Sequence, residues 1–398
     1  MFQLPPEFTH TVSPTVTFTA SPENAVSPTP TLPEALPPAP VPISAGWNHT
    51  CVIIGENGVV CWGSNNEGQL GDGSRTSRLK PVSVKNLSGR PVAVAAGWGH
   101  TCVLMETGVV KCWGRNKSGE LGNGTNQRST EPVDVPGLTG IVAIAAGDYH
   151  TCAVTGQGKI KCWGANDDGQ LGDGSTAAPA QPVEVAGIDG VTGIAAGTAH
   201  TCARTGSGEV WCWGKNDQGQ LGDGTESASR GVPKPVGGLT GGVAALTAKG
   251  VHTCVLAPSG TIQCWGVNKF GQLGNGTFEN QSTPSPVTGL EGAATSIAAG
   301  WGQTCATMDS EELVCWGWNF YGQLGEGSTA NRNHPVAVDG LDGKAAAVTG
   351  GGGHTCSIME SGGVFCWGLN ADGQLGNQAT VDSSIPVKVV GLSVLIAV

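Results

Sequence analysis

Short apolar runs of about five residues alternate with turns rich in Gly, Asn and Asp along most of the chain. Between residues 91 and 135 the pattern is clear, with strand-like runs at 92–96, 100–105, 109–114 and 132–135. Runs this short, bounded by turn-forming residues, are typical of β-strands and not of helices. This stretch therefore predicts four short strands joined by tight turns.

The four-run pattern occurs seven times. Seven Cys-Trp-Gly triplets mark the copies, and their tryptophans lie 50 to 52 residues apart, at Trp62, Trp113, Trp163, Trp213, Trp265, Trp316 and Trp367. A repeat of about 50 residues with four strands is typical of a propeller blade. We expect an all-β fold, a seven-bladed β-propeller of four-stranded blades, over residues 41–398.

Two segments could supply the innermost strand of blade one. The residues VPISA at 41–45 and the tail SVLIAV at 393–398 both match the first strand of a repeat. We expect one of them to occupy that place and close the ring, and the other to be marginal.

Residues 1–40 have a different composition, rich in Pro, Thr and Ser and without periodic apolar positions. Such a segment cannot bury enough apolar surface to fold, and predicts an extended, partly polyproline II linker or stalk. Its first ten residues lack the basic and apolar regions of a secretory signal.

Each repeat also carries two cysteines ten residues apart. The pairs are Cys51 and Cys61, Cys102 and Cys112, Cys152 and Cys162, Cys202 and Cys212, Cys254 and Cys264, Cys305 and Cys315, and Cys356 and Cys366. A hairpin with a three-residue loop between the second and third strands would place the two cysteines opposite each other, within reach of a disulfide. We expect seven disulfides, one in each blade, in preference to reduced core cysteines or to zinc, which favours CxxC spacing.

The same hairpin requires a left-handed backbone at its third loop residue. Glycine occupies this position in five blades, at Gly108, Gly158, Gly208, Gly260 and Gly362. Asn57 is an acceptable substitute, whereas Glu311 predicts strain or a different loop.

Composition and charge exclude several functions. A formal net charge of -11 and a pI near 5.1 argue against binding to duplex nucleic acid or to an anionic membrane surface. No apolar run is long enough to span a bilayer. Persisting disulfides imply an oxidising compartment, so we expect an extracellular or cell-surface protein whose export signal is not in this sequence.

The repeat unit, GxxHTC followed by CWGxNxxGQLGxG and PVxV, resembles the repeat of the regulator of chromosome condensation family over residues 41–398. The resemblance implies a seven-bladed propeller. Nuclear members promote nucleotide exchange on a small GTPase and bind histones, which fits poorly with paired cysteines and no basic tail. Secreted bacterial relatives, among them a β-lactamase inhibitor, bind protein partners through aromatic residues on one rim. This chain is similar to those relatives.

Candidate chemistry in the repeats has structural explanations. A histidine recurs in six blades, at His49, His100, His150, His200, His252 and His354. Blade six has Gln303 instead, which cannot act as a base, so we interpret the histidines as structural groups bonded to backbone between blades and not as metal ligands. A calcium site at Asp72, Asp173 and Asp223 is a weak alternative, because no DxDxDG spacing occurs. Neither GxSxG nor HExxH occurs, and we expect no enzyme, no cofactor and no metal.

Aromatic residues that differ between blades are the candidate binding residues. They lie before the repeated histidine or after the Cys-Trp-Gly triplet, in loops that should emerge on one face: Trp47, Trp98, Tyr149, Phe270, Trp301, Trp318, Phe320 and Tyr321. Trp and Tyr on a rigid rim are common anchors of protein or sugar binding. The alternative is that each fills a gap between blades, which is our interpretation of Trp211.

These observations favour a non-enzymatic extracellular or cell-surface propeller that binds a protein partner through its aromatic rim. The alternatives are a structural subunit of a surface assembly, which would bind copies of itself, and a lectin-like propeller that binds glycans.

Overall fold

The computed structural model describes residues 42–56, 58–226 and 229–394. The expected linker at 1–40, the loop residue Asn57 and the last four residues of the tail lie outside these ranges. Within them the structure contains seven antiparallel sheets of four strands and no helix, as the repeats predict. None of the described elements is a helix that could cross a membrane.

Each sheet is one blade, built from one continuous stretch of chain, and its four strands follow each other in chain order. The first strands are Ile43–Ala45, Pro91–Ala96, Ile141–Ala146, Val191–Ala196, Ala245–Lys249, Ala294–Ala299 and Ala345–Gly350. The second strands are His49–Ile54, His100–Met105, His150–Thr155, His200–Thr205, His252–Leu256, Gln303–Met308 and His354–Met359. The two middle strands bury nearly all their side chains because each blade packs between two others.

The outer half of each blade is completed by the other two strands. The third strands are Gly58–Gly63, Val110–Gly114, Ile160–Gly164, Val210–Gly214, Ile262–Gly266, Leu313–Gly317 and Gly363–Gly368. The fourth strands are Arg78–Ser83, Ser129–Asp134, Val183–Glu184, Arg230–Pro235, Gln281–Pro286, Arg332–Ala337 and Ser383–Ser393. The fourth strand of blade two begins at Ser129, three residues before the predicted run, since polar residues lengthen it on the exposed side.

The second and third strands form the predicted hairpins. In each blade the two cysteines are paired in register and joined by a disulfide, with Cα atoms 4.1 Å apart. The third loop residue has a positive φ in the described hairpins, 79° at Gly108 and 73° at Glu311. The glycine pattern and its exception at Glu311 are therefore confirmed.

The hydrophobic core lies between consecutive blades. The layer between blades one and two contains Leu70 from the first blade and Trp113 from the second. The Trp113 Nε1–H donates to the Gln69 carbonyl at 2.8 Å, and the Thr101 hydroxyl donates to the same oxygen at 2.9 Å. The Cys-Trp-Gly and Gly-Gln-Leu motifs thus form the two sides of each seam between blades.

The N-terminal candidate supplies the innermost strand of blade one. Ile43–Ala45 pairs with His49–Ile54, and the side chain of Ile43 is buried among residues of blades one and seven. Across the closing seam the Trp62 indole donates to the Gln374 carbonyl at 2.8 Å. The described part of the tail extends the fourth strand of blade seven to Ser393, and the Val394 N–H then donates to the Gly362 carbonyl at 2.8 Å.

A proline precedes the residue that pairs with the second cysteine in every blade. These prolines are Pro81, Pro132, Pro182, Pro233, Pro284, Pro335 and Pro386. Proline has no backbone N–H, so the outer side of each blade lacks a hydrogen-bond donor at this position.

Candidate functional site

The loop from first to second strand and the loop from third to fourth strand emerge on the same face of the ring, as expected. Trp301 in the first kind of loop and Trp318 in the second have ring centroids 5.2 Å apart. Neighbouring blades also bond through the first kind of loop, where the Trp47 N–H donates to the Gly97 carbonyl at 3.2 Å and the Trp98 N–H to the Asp148 carbonyl at 3.0 Å. We call this side the rim face.

Six of the predicted binding residues are in contact on the rim face. They form the aromatic cluster, which consists of Trp47, Phe270, Trp301, Trp318, Phe320 and Tyr321. Successive ring centroids lie 5.1 to 6.2 Å apart. These spacings are typical of offset and edge-to-face aromatic pairs. Residues of blades one, five and six therefore make one apolar surface.

Two glycines leave room for the tryptophans of the cluster. Gly352 of blade seven has the sequence position that Trp47 has in blade one, and a Cβ there would lie 3.0 Å from the Trp47 ring. Gly250 of blade five stands in the same position, has φ +53°, and lies against the backbone of Trp301. Because blade seven has no side chain here, Trp47 and Trp301 meet across it, with ring centroids 5.6 Å apart.

Exposure differs among the rings of the aromatic cluster. Phe320 is 67% exposed, whereas the other five are half-buried, largely against one another. None of the six belongs to the hydrophobic core clusters of the described residues. Trp211, by contrast, packs against the core layer between blades three and four, as expected for a packing residue.

Trp98 and Tyr149 form a separate pair. Their ring centroids lie 5.7 Å apart, and the Arg115 guanidinium lies 4.7 Å from the centroid of the Tyr149 ring. Within the described residues, no ring contact joins this pair to Trp47. The eight predicted binding residues therefore form two groups, the aromatic cluster and this pair. Burial and the nearby Asp148 raise the pKa of Tyr149.

The repeated histidines bond between blades, but not to backbone as we expected. Each Nε2 lies 2.8 or 2.9 Å from a threonine hydroxyl of the next blade, as in His49 to Thr101 and His354 to Thr50. The Thr101 hydroxyl donates its proton to the Gln69 carbonyl, so the imidazole must be the donor to the threonine. Gln303 replaces the histidine in blade six, where its amide donates to the His354 carbonyl at 3.1 Å.

Burial keeps these histidines neutral. Their side chains are at most 1% exposed, and desolvation lowers the pKa of His100, His150, His200, His252 and His354 to about 3. The pKa of His49 is also well below its ordinary value, first because of burial and second because of the charge on Lys249.

Sequence reasoning missed Lys249, which lies at the end of the first strand of blade five. The equivalent positions in the other blades, three residues before the repeated histidine or Gln303, all carry glycine, namely Gly46, Gly97, Gly147, Gly197, Gly300 and Gly351. The Lys249 Nζ donates to the Ala45 carbonyl of blade one, three places around the ring. Alignment of the repeats could have found it, since TAK at 247–249 replaces the AAG of most other blades.

The carboxylates that suggested calcium are bound within their own loops. Asp72 accepts hydrogen bonds from Arg78, at 2.6 Å, and from Ser74, at 2.7 Å. Burial alone would raise the pKa of Asp72, but the hydrogen bonds from Ser74 and Arg78 lower it overall. In the part of the chain that the structure describes, no three His, Cys, Asp or Glu side chains are grouped to hold a metal ion.

Comparisons with known proteins agree with the repeat pattern. The model of the RCC1-like domain family matches residues 13–293 and 139–398. The ultraviolet-B receptor UVR8 of Arabidopsis thaliana is 36% identical over 89% of this chain and 70% of its own length. The human E3 ubiquitin-protein ligase HERC2 is 33% identical over 88% of this chain, which spans only 5% of that protein.

A solved structure shows the same fold. Yeast RCC1 (Prp20), crystallised bound to Kap60, superposes with a TM-score of 0.77 at 20% identity, over 94% of this chain and 91% of that one.

Proposed function

The chain belongs to the RCC1-like domain family, and we propose that it is a non-enzymatic binding propeller that engages a protein partner through the aromatic cluster. The fold alone hosts many activities, so the proposal depends on the rim face of this chain.

The position of the aromatic cluster carries the proposal. The seams between blades are made by the repeated tryptophans, threonines and histidines, and the six cluster residues lie outside the core clusters of the described residues. Phe320, 67% exposed, and its neighbours therefore place a continuous apolar surface in solvent. Protein interfaces are enriched in Trp, Tyr and Phe, and these residues supply most binding hot spots.

We further propose that the protein acts outside the cell or on its surface. The support is chemical: all fourteen cysteines are paired within blades, and seven disulfides persist only in an oxidising compartment.

The test compares two exposed apolar sites. Trp318 contacts Phe270, Trp301 and Tyr321 through its ring and takes no part in a seam. Truncating such an anchor commonly costs about 2 kcal/mol, or roughly thirtyfold in affinity. We expect Trp318→Ala to weaken a partner captured from the native surface or secretome at least tenfold, with a nearly unchanged melting temperature. Val381, 74% exposed beside the fourth strand of blade seven, is the control, and Val381→Ala should bind normally.

Three results would contradict the proposal. An equal fall in melting temperature would make Trp318 a packing residue. Unchanged binding by Trp318→Ala and Phe320→Ala would move the site elsewhere. Capture of glycans, or of copies of this chain alone, would favour one of the other two functions.

A further inference from the structure

Lys249 is the exception in the ring of first-strand ends. The other six blades carry glycine at the equivalent position. The Lys249 side chain reaches from blade five to the Ala45 carbonyl of blade one. Its ammonium group therefore lies close to the rim end of the central channel.

The two ends of the Lys249 side chain lie next to the chain segments of two tryptophans of the aromatic cluster. Ala45 is two residues before Trp47, and Gly250, directly after Lys249, packs against the backbone of Trp301. The Trp47 and Trp301 rings themselves lie 5.6 Å apart. We call the region of these three side chains the central cup.

The charge of Lys249 has no partner. Among the described residues, no carboxylate lies within 4.0 Å of its Nζ, and Ala45 is the one hydrogen-bond acceptor. An ammonium has three N–H donors, so two remain without a protein acceptor. Buried and half-buried charges in proteins are normally paired, because removing them from water is unfavourable. An unpaired ammonium inside an aromatic rim indicates a place for an anion.

Other groups near the ammonium do not neutralise it. Its charge acts on His49 and His354, which burial keeps neutral. Asp148, on the first loop of blade three, is the carboxyl whose charge acts on Lys249, but it lies beyond ion-pair distance. Desolvation exceeds that effect and lowers the pKa of Lys249 to about 8. A carboxylate closer than Asp148 would therefore bind favourably.

We propose that the central cup is a carboxylate-binding site, in which the Lys249 ammonium pairs with a carboxylate of the partner while Trp47 and Trp301 contact the adjoining apolar group. The ligand is thus an acidic side chain or a C-terminal carboxylate flanked by apolar residues. The inference rests on the proposed function only for the identity of the molecule that carries this group.

Small probes test the site without a protein partner. The full chain is titrated with 3-phenylpropionate and with its neutral analogue 3-phenylpropanamide, and binding is measured by ligand-observed NMR. A hydrogen bond to a charged group is worth about ten- to a hundredfold in affinity, so the acid should bind at least tenfold more tightly than the amide. Lys249→Gln should lower the affinity for the acid to that for the amide. Lys249→Arg should retain most of the difference in affinity between the two probes.

Two further variants separate the cup from general charge effects. Asp148→Asn removes the competing carboxylate and should strengthen binding of the acid about threefold, by long-range electrostatics at a high effective dielectric. Lys215→Gln removes an exposed lysine that is paired with Asp217, and should change nothing. Binding of the acid should fall as the pH rises through about 8, where Lys249 loses its proton. Thermal melts establish that each variant is folded.

The site does not exist if acid and amide bind equally, if folded Lys249→Gln keeps the difference, or if the wild type shows no saturable binding up to the solubility limit of the acid. These outcomes are independent of the proposed function. If the acid binds but no protein partner is captured, the carboxylate site is supported and the proposed protein-binding function is contradicted.

Discussion

Acid should destabilise this protein through its buried histidines. Five of them have a pKa lowered to about 3, against an ordinary value of 6.5 in the unfolded chain. As the pH falls below 6.5 the unfolded chain takes up protons that the folded chain cannot accept. The stability that neutral histidines provide is therefore complete above 6.5 and is lost as the pH falls from there toward 3.

The size of the effect follows from the two pKa values. At pH 5 each such histidine favours the unfolded chain by about 2 kcal/mol, since one pH unit between the two pKa values is worth about 1.4 kcal/mol. Five histidines together reach about 10 kcal/mol, which is comparable with the whole free energy of unfolding of an ordinary domain. The disulfides remain oxidised in acid, so unfolding should occur with every disulfide intact.

The assay is denaturant unfolding at pH 7, 6, 5 and 4, followed by the fluorescence of the seven buried seam tryptophans. Blade six provides a matched control, because Gln303 already occupies the histidine position and donates to Thr355 and to the His354 carbonyl. We expect His150→Gln to be tolerated at pH 7 and to recover about 2 kcal/mol of the loss at pH 5. A free energy of unfolding that stays constant from pH 7 to 4 would refute this account of the seams.

The remaining predictions concern the framework of the ring. Denatured, unreduced protein from its natural compartment should show no thiol that reacts with an alkylating agent, and mass mapping should link each cysteine to the one ten residues away; free thiols would remove the case for an extracellular location. Ile43→Ala should lower the free energy of unfolding by 2 to 5 kcal/mol, about the usual loss for a buried isoleucine, and an unchanged value would show that the first strand does not close the ring. Glu311→Gly should raise it by about 1 kcal/mol, because Glu311 has φ 73°; a loss would mean that its side chain stabilises the loop.

The fold could be predicted because the same pattern of strands, turns and cysteines occurs in every repeat. A single Cys-Trp-Gly triplet would be ambiguous, but seven copies with paired cysteines fix the period, the strand order and the hairpin register. Turn chemistry also acts locally, so the left-handed residues at Gly108 and Glu311 could be read from the sequence.

Contacts that depend on the ring as a whole could not be predicted to the same depth. The histidine partner was wrong, because a threonine hydroxyl of the next blade reaches the imidazole once the blades pack. Trp47 contacts Trp301 because Gly352 has no side chain between them. The distance between these loops depends on how the blades pack, so the contact could not be predicted from the repeats. Lys249 stands out when the repeats are aligned, but its contact with Ala45 could not be predicted, because the two residues are about 200 positions apart in the chain.

The seven prolines of the outer strands affect how copies of this protein can associate. An outermost strand with all its N–H and C=O groups free can pair with the strand of another molecule, and sheets then extend from one molecule to the next. Here a proline interrupts that edge in every blade, and the register shifts beside it in most of them. Pairing of outer strands between copies, and growth into fibres by that route, are therefore opposed in every blade.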